Sequence, residues 1–173
     1  MTKRGQTVFG MSFGVIFSII LIIFLLGVAI YAITSFVGIS SCSKVGLFYE
    51  GLQDEIDKAW TSGIYRGNFP LERNPLVLPS GIEKVCFGGL NQAVLDNGNV
   101  QSELKEAYFL VEDREIYMYP PDKACDGELS SNSLEHVSIA NFFCVDVEDG
   151  NVEPFKLDKR TDASSVNISK VLV

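Results

Sequence analysis

Val15-Ile16-Phe17-Ser18-Ile19-Ile20-Leu21-Ile22-Ile23-Phe24-Leu25-Leu26 lies at the centre of a stretch that carries no charged residue from Thr7 to Ser43. Between Val8 and Val37 the chain is uncharged and mostly apolar. As a helix this segment would be about 45 Å long at ~1.5 Å per residue, against a hydrocarbon core of roughly 30 Å. The spacing predicts a transmembrane helix over residues 8–37. Two other readings fit less well. A buried helix of a soluble core seldom runs so far without a charge, and a cleaved secretory signal has an apolar core of only about 7–15 residues.

Working outward, charge is distributed unequally about this stretch. Lys3 and Arg4 are the only charged residues before it, while all 22 acidic side chains and the other 12 of the 14 basic ones follow Ser43. Cationic flanks are retained in the cytoplasm, which predicts a cytoplasmic N-terminus at 1–7 and an extracytoplasmic domain at 38–173. Tyr31 and Phe36 then fall near the outer interface, where aromatic rings concentrate. The outer segment, with ten more acids than bases, would repel a phosphate backbone and anionic headgroups, which argues against nucleic acid as a partner. At roughly 130 residues it has room for one modest core.

Beyond the span, Val45, Phe48, Leu52, Ile56, Ala59 and Trp60 recur at steps of three and four, with Glu50, Asp54, Asp57 and Lys58 between them. This predicts an amphipathic helix from Lys44 to Ser62, ended by Gly63, and with no proline before Pro70 it continues the membrane helix. Gly67 to Gly81, with Pro70, Pro75 and Pro79, reads as a loop or an extended edge. Strands are expected at 82–87, at 115–119 before Pro120-Pro121, at 142–147 and 152–157 around a Glu148-Asp149-Gly150-Asn151 hairpin, and at 166–173. Asn97-Gly98 signals a turn before a helix passing into strand over 102–110. The expected fold class is α+β: a long N-terminal transmembrane helix continuing into an amphipathic helix, packed on a small antiparallel sheet of four to six strands.

Gly10, Gly14 and Ser18 recur every four residues and make one small-residue stripe on the inner half of the span. Such stripes let helix backbones approach closely in lipid, so the expected partners are the bilayer and, through this stripe, a second copy or another membrane helix.

Lys3-Arg4-Gly5-Gln6, followed at once by a long apolar helix, resembles the class III signal peptide of archaeal type IV pilin-like proteins. The resemblance implies that a membrane peptidase cuts between Gly5 and Gln6 and that the exposed apolar helix packs into a filament core. It also implies a subunit whose first helix spans the membrane and then buries one face under a sheet. The likeness is confined to the N-terminal segment, and Gly10 stands where many pilins carry a glutamate. A competing motif, Ile39-Ser40-Ser41-Cys42, loosely matches a lipobox, although the apolar region before it is far longer than a lipoprotein signal needs.

All four cysteines, Cys42, Cys86, Cys125 and Cys144, lie on the expected outer side. An even number in an oxidising compartment reads as two disulfides. Three pairings are open. Cys86 and Cys144 sit in strand-like runs, which favours a link between them from sheet to sheet. A four-cysteine zinc site is disfavoured, because separations of 44, 39 and 19 residues lack the close pairs of zinc modules. Asn167-Ile168-Ser169 is an N-glycosylation sequon.

Chemical signatures are sparse. His136 is the single histidine, and its neighbours Glu135 and Ser138 form no recognised nucleophile motif. Asp146, Glu148, Asp149 and Asn151 place oxygen ligands close together without the spacing of a calcium-binding loop. Asp54, Glu55 and Asp57 read as a solvated acidic face. There is no glycine-rich phosphate loop, and no cofactor, metal or small-molecule ligand is assigned. The expected function is that of a non-enzymatic, membrane-anchored structural or interaction protein. The alternative, from another class, is an anchored extracytoplasmic enzyme or ligand-binding sensor.

Overall fold

The computed structural model describes residues 13–70, 77–108, 114–125 and 127–171. It divides into two compact units, Met1–Ile39 and Ser40–Val173. A single helix, α1, runs over Phe13–Thr61. Its first part is exposed along its length, with Val15 through Phe36 presenting large apolar side chains all round. Gly46 and Gly51 do not break it, because the residues around them are fixed by packing in the outer unit.

Within the outer unit, the stripe read from sequence is the buried one. Val45, Phe48, Leu52, Ile56 and Ala59 are all fully enclosed, joined by Tyr49. Trp60 departs from the expectation and stays partly exposed, because it lies a quarter-turn away from the stripe. Glu55 also departs: read as solvated, it is buried, where it accepts hydrogen bonds from the Tyr65 hydroxyl and from Lys58 Nζ at 3.2 Å. α1 ends where Ser62 N–H closes onto the Lys58 and Ala59 carbonyls. The buried Lys159 ammonium donates to the carbonyls of Trp60 and Ser62, satisfying acceptors that a helix end leaves open.

The remaining elements form two sheets where one was expected. Strands β1 (Tyr65–Phe69), β8 (Phe155–Lys159), β9 (Val166–Lys170) and β5 (Val137–Ser138) make one, in the order β1-β8-β9-β5. Strands β4 (Ser131–Asn132), β3 (Ile116–Tyr119), β2 (Lys84–Phe87), β6 (Phe143–Glu148) and β7 (Asn151–Val152) make the other, in the order β4-β3-β2-β6-β7. Pairing is antiparallel throughout except between β5 and β9. Helix α2 (Gly98–Ala107) follows β2 in the chain. The fold is therefore α+β, as the sequence indicates.

The expected single strand over 152–157 is split by chemistry at Pro154. Val152 pairs with Val147 across the hairpin, and Phe155 onward pairs with β9 and β1 in the other sheet. Proline lacks the N–H that a continuous ladder needs, so the chain changes sheets there. Asn97-Gly98 is also redirected. Asn97 adopts a left-handed conformation, φ 58°, as a turn residue would, yet it opens α2. The expected passage from helix to strand at 109–110 lies outside the described residues, as do 172–173 at the end of the expected last strand. Gly67 to Phe69, read as loop or extended edge, belong to β1 at the sheet's edge.

Both faces of β2, β3 and the start of β6 are buried. Val85, Phe87, Ile116, Met118, Phe143 and Val145 face the main core with the α1 stripe. Cys86, Tyr117, Phe142 and Cys144 face the opposite way, into a smaller cluster closed by Val100 and Leu104 of α2. Burial on two faces explains why Lys84–Phe87 and Ile116–Tyr119 read as nearly continuous apolar runs. An aromatic chain ties the helix to both sheets: Phe48 to Phe69 at 5.9 Å, Phe69 to Phe155 at 5.4 Å, Phe155 to Phe87 at 4.5 Å and Phe87 to Phe143 at 5.3 Å.

The hairpin tip at Asp149-Gly150 has positive φ at both residues, 51° and 80°, the geometry of a two-residue turn matched to strand twist. Gly150 also lies against the chain at Val77-Leu78: Leu78 N–H donates to its carbonyl at 2.8 Å, and an added Cβ would stand 2.6 Å from Leu78 O. Gly150→Val is therefore expected to destabilise the outer unit by about 1–3 kcal/mol through combined strain and clash. Thermal or urea unfolding of the detergent-solubilised full chain measures this, and an unchanged midpoint would refute the close approach.

Candidate functional site

In the first unit, the described part of α1 is one helix long and apolar enough to cross a membrane, with none of its apolar window buried. Its hydroxyls are satisfied within the helix. Ser18 donates to the Gly14 carbonyl at 2.7 Å, and Thr34 donates to the carbonyls of Ile30 and Tyr31. That removes the cost of a lone hydroxyl in an apolar medium. Gly14 and Ser18 occupy successive turns of the helix. Gly10, with Gly5 and Gln6 of the leader motif, lies outside the described residues.

In the outer unit, the four cysteines form two disulfides, Cys42–Cys125 and Cys86–Cys144. The favoured Cys86–Cys144 pairing is present, but its expected role is corrected. The two residues are directly opposed on neighbouring antiparallel strands β2 and β6, with Cα atoms 4.0 Å apart, so the bond lies within one sheet. It sits on the face covered by α2. The two links interleave along the chain and close loops of 83 and 58 residues. In the chain-entropy picture each restricts the unfolded state by about 4 kcal/mol. Replacing Cys86 and Cys144 together by alanine is expected to remove a comparable stability, read as a lowered unfolding midpoint. A midpoint insensitive both to this change and to reductant would contradict it.

Cys42–Cys125 belongs to a larger attachment. Along a second stripe of α1, spaced by seven, four and seven residues, Cys42, Tyr49, Gln53 and Trp60 hold Cys125, Leu129, Glu135 and His136. Cys42 bonds Cys125, and the Tyr49 hydroxyl donates to the Leu129 carbonyl at 2.8 Å. Gln53 brackets Glu135, accepting from its N–H at 3.0 Å and donating to its carbonyl. Trp60 stacks on His136, with ring centroids 3.8 Å apart and planes within 7°. Burial, with Tyr108 nearby, pushes the Tyr49 phenol far above the ordinary tyrosine range. Tyr65, half-buried, is pushed up to about 12, first by burial and then by its bond to the Glu55 carboxylate.

His136, the lone candidate for acid–base chemistry, is thus an aromatic stacking partner. Its backbone is left-handed, φ 62°, and its carbonyl accepts Val166 N–H at 2.7 Å, which aligns β5 with β9. The oxygen-bearing residues Asp146, Glu148, Asp149 and Asn151 do come together around an open depression of about 450 Å³, completed by Val152, Glu153 and Pro154. Asp146 is paired with Lys84 across β2 and β6. Among the described residues no group of three or more His, Cys, Asp or Glu side chains is placed to hold a metal ion.

A polar centre that the sequence reading passed over surrounds Asp96. One carboxylate oxygen accepts the Cys144 N–H at 3.1 Å, and the other is paired with the Lys170 ammonium. Beside it, Phe142 N–H bonds Ala93 O at 2.9 Å and Leu95 N–H bonds Phe142 O at 2.8 Å. Segment 93–96 therefore covers the edge of β6 beyond the reach of β7. Partial burial raises the Asp96 pKa, but the bonds from Lys170, the Cys144 amide and Asn97 outweigh it, so the carboxyl lies below its ordinary value. A carboxyl depressed on folding stabilises above its unfolded value of ~3.9 and loses that contribution as pH falls through the lower folded value. Asp96→Ala is expected to cost about 1–2 kcal/mol near neutrality. The gap to the parent protein should narrow as pH falls below the ordinary carboxylate range, and a gap that widens with acid would disprove this account.

Asn167 is exposed on β9, opposite Asp158 of β8 and Ser138 of β5. No family model, no curated protein and no solved structure matches the chain.

Proposed function

We propose that this chain is a non-enzymatic, single-pass membrane protein whose outer domain serves as a structural or interaction subunit at the cell surface. Residues 1–7 are cytoplasmic, 8–37 cross the bilayer and 38–173 lie outside. The observation that carries the reading is the contrast within α1. Its N-terminal part exposes an unbroken apolar surface that water would not tolerate, while the unit beginning at Ser40 holds all four cysteines as disulfides. Disulfides persist in oxidising compartments, which supports an extracytoplasmic setting. Lys3 and Arg4 before the span support the direction of insertion.

The finer version is a pilin-like surface subunit of archaeal type. It draws on the Lys3-Arg4-Gly5-Gln6 leader, on the helix that continues from the apolar segment into a buried stripe under sheets, and on the Gly10, Gly14 and Ser18 spacing. With the Ser18 hydroxyl engaged by its own helix, Gly14 and Ser18 offer a smooth surface for close backbone packing against a second copy or another membrane helix.

Mass spectrometry of the membrane-extracted protein is expected to find the first five residues missing, with Gln6 at the new N-terminus. An intact Met1 start would overturn the pilin-like version. Protease added to intact cells stripped of outer wall layers is expected to digest the outer domain. Survival there, with digestion only after permeabilisation, would overturn the orientation.

A further inference from the structure

The outward face of the four-stranded sheet is wholly polar. Along β1, Arg66 and Asn68 point outward; along β8, Lys156 and Asp158; along β9, Asn167 and Ser169; and β5 adds Ser138. The alternate residues Phe155, Leu157, Val166 and Ile168 are buried against the main core. Asn167 stands mid-sheet between Asp158 and Ser138. Asp158 is drawn toward the far strand by Arg66, 3.7 Å away, and Ser138 is small and exposed. Asn167 is itself exposed on this face.

The strand period places the Asn167 amide and the Ser169 hydroxyl on the same face, two residues apart. Asn-x-Ser, with x other than proline, is the acceptor pattern for N-linked glycans, here with Ile168 between. We propose that Asn167 is a glycosylation site and that its glycan covers the outward face of the β1-β8-β9-β5 sheet. The inference rests on the outward orientation proposed above. The donor is an oligosaccharide carried on a membrane lipid phosphate. The Asn167 amide nitrogen forms a bond to the anomeric carbon and loses one proton, the bond from that carbon to the phosphate oxygen breaks, and the lipid phosphate leaves. Nothing is oxidised or reduced. Because β9 is paired on both edges in the folded domain, transfer precedes closure of this sheet. The folded protein accommodates the product, since the modified nitrogen points into solvent while Ile168 stays in the core.

The test is translation of the full chain in the presence of microsomes, which contain both donor and transferase. One glycan is expected, removable by peptide N-glycosidase and absent from N167Q and from S169A. A compartment control comes from N167Q/D162N, which creates an acceptor at Asp162-Ala163-Ser164 in an exposed turn. If that control is modified and the parent chain is not, the strand site is overturned while the orientation stands. If neither is modified, the outer domain is not lumenal, and the orientation falls together with the site.

Discussion

One helix carries two kinds of surface. The first part of α1 is apolar all round and exposed, whereas its outer part is apolar along a narrow stripe that is fully buried. A helix can carry both because its backbone hydrogen bonds are internal, so only the side chains need to change along it. The outer domain depends on this stripe. Val45, Phe48, Leu52, Ile56 and Ala59 form the common floor of a core to which both sheets contribute. Without it, β8 and β9 on one side and β2 and β6 on the other would leave their apolar faces open.

Around that floor the attachment is graded from covalent to stacked. Cys42, Tyr49, Gln53 and Trp60 hold Cys125, Leu129, Glu135 and His136 by a disulfide, a phenol hydrogen bond, a paired amide contact and an aromatic stack. Turn hydrogen bonds and β4 satisfy part of the chain around them. Side chains of α1 meet the Leu129 carbonyl and both backbone groups of Glu135. His136 illustrates the result: the only histidine, and on chemical grounds the first suspect for catalysis, is occupied in aligning β5 and covering Trp60.

The polar groups taken into the interior follow the same economy. Glu55 is met by Tyr65 and Lys58, Lys159 by two carbonyls at the end of α1, and Asp96 by an amide and an ammonium. Each of these three charges has a partner, as desolvation requires. Apart from those of Glu55, the partners are distant in sequence, with Lys159 close to a hundred residues from the carbonyls it caps and Asp96 separated from Lys170 by 74. Their positions along the chain therefore gave little sign of these pairs. Lys159 offers the nearest thing to a signal, since it continues the inward alternation of Phe155 and Leu157.

What the sequence by itself determined is local and periodic. An uncharged run longer than a bilayer is thick, a stripe at helical spacing, strand runs at 82–87 and 115–119, and an Asp-Gly hairpin tip are all properties of a few neighbouring residues; all are present, the strands shortened to Lys84–Phe87 and Ile116–Tyr119. Tertiary structure alone decided how these pieces meet. It divided the strands between two sheets at Pro154, turned Glu55 inward, placed Cys86 and Cys144 on adjacent strands of one sheet, and brought Cys42 to Cys125 across 83 residues. Local propensity is summed along the chain, whereas strand register and cysteine pairing are selected by which distant faces can be buried together. A pattern of period two or 3.6 shows which face is apolar, but not which other face will cover it.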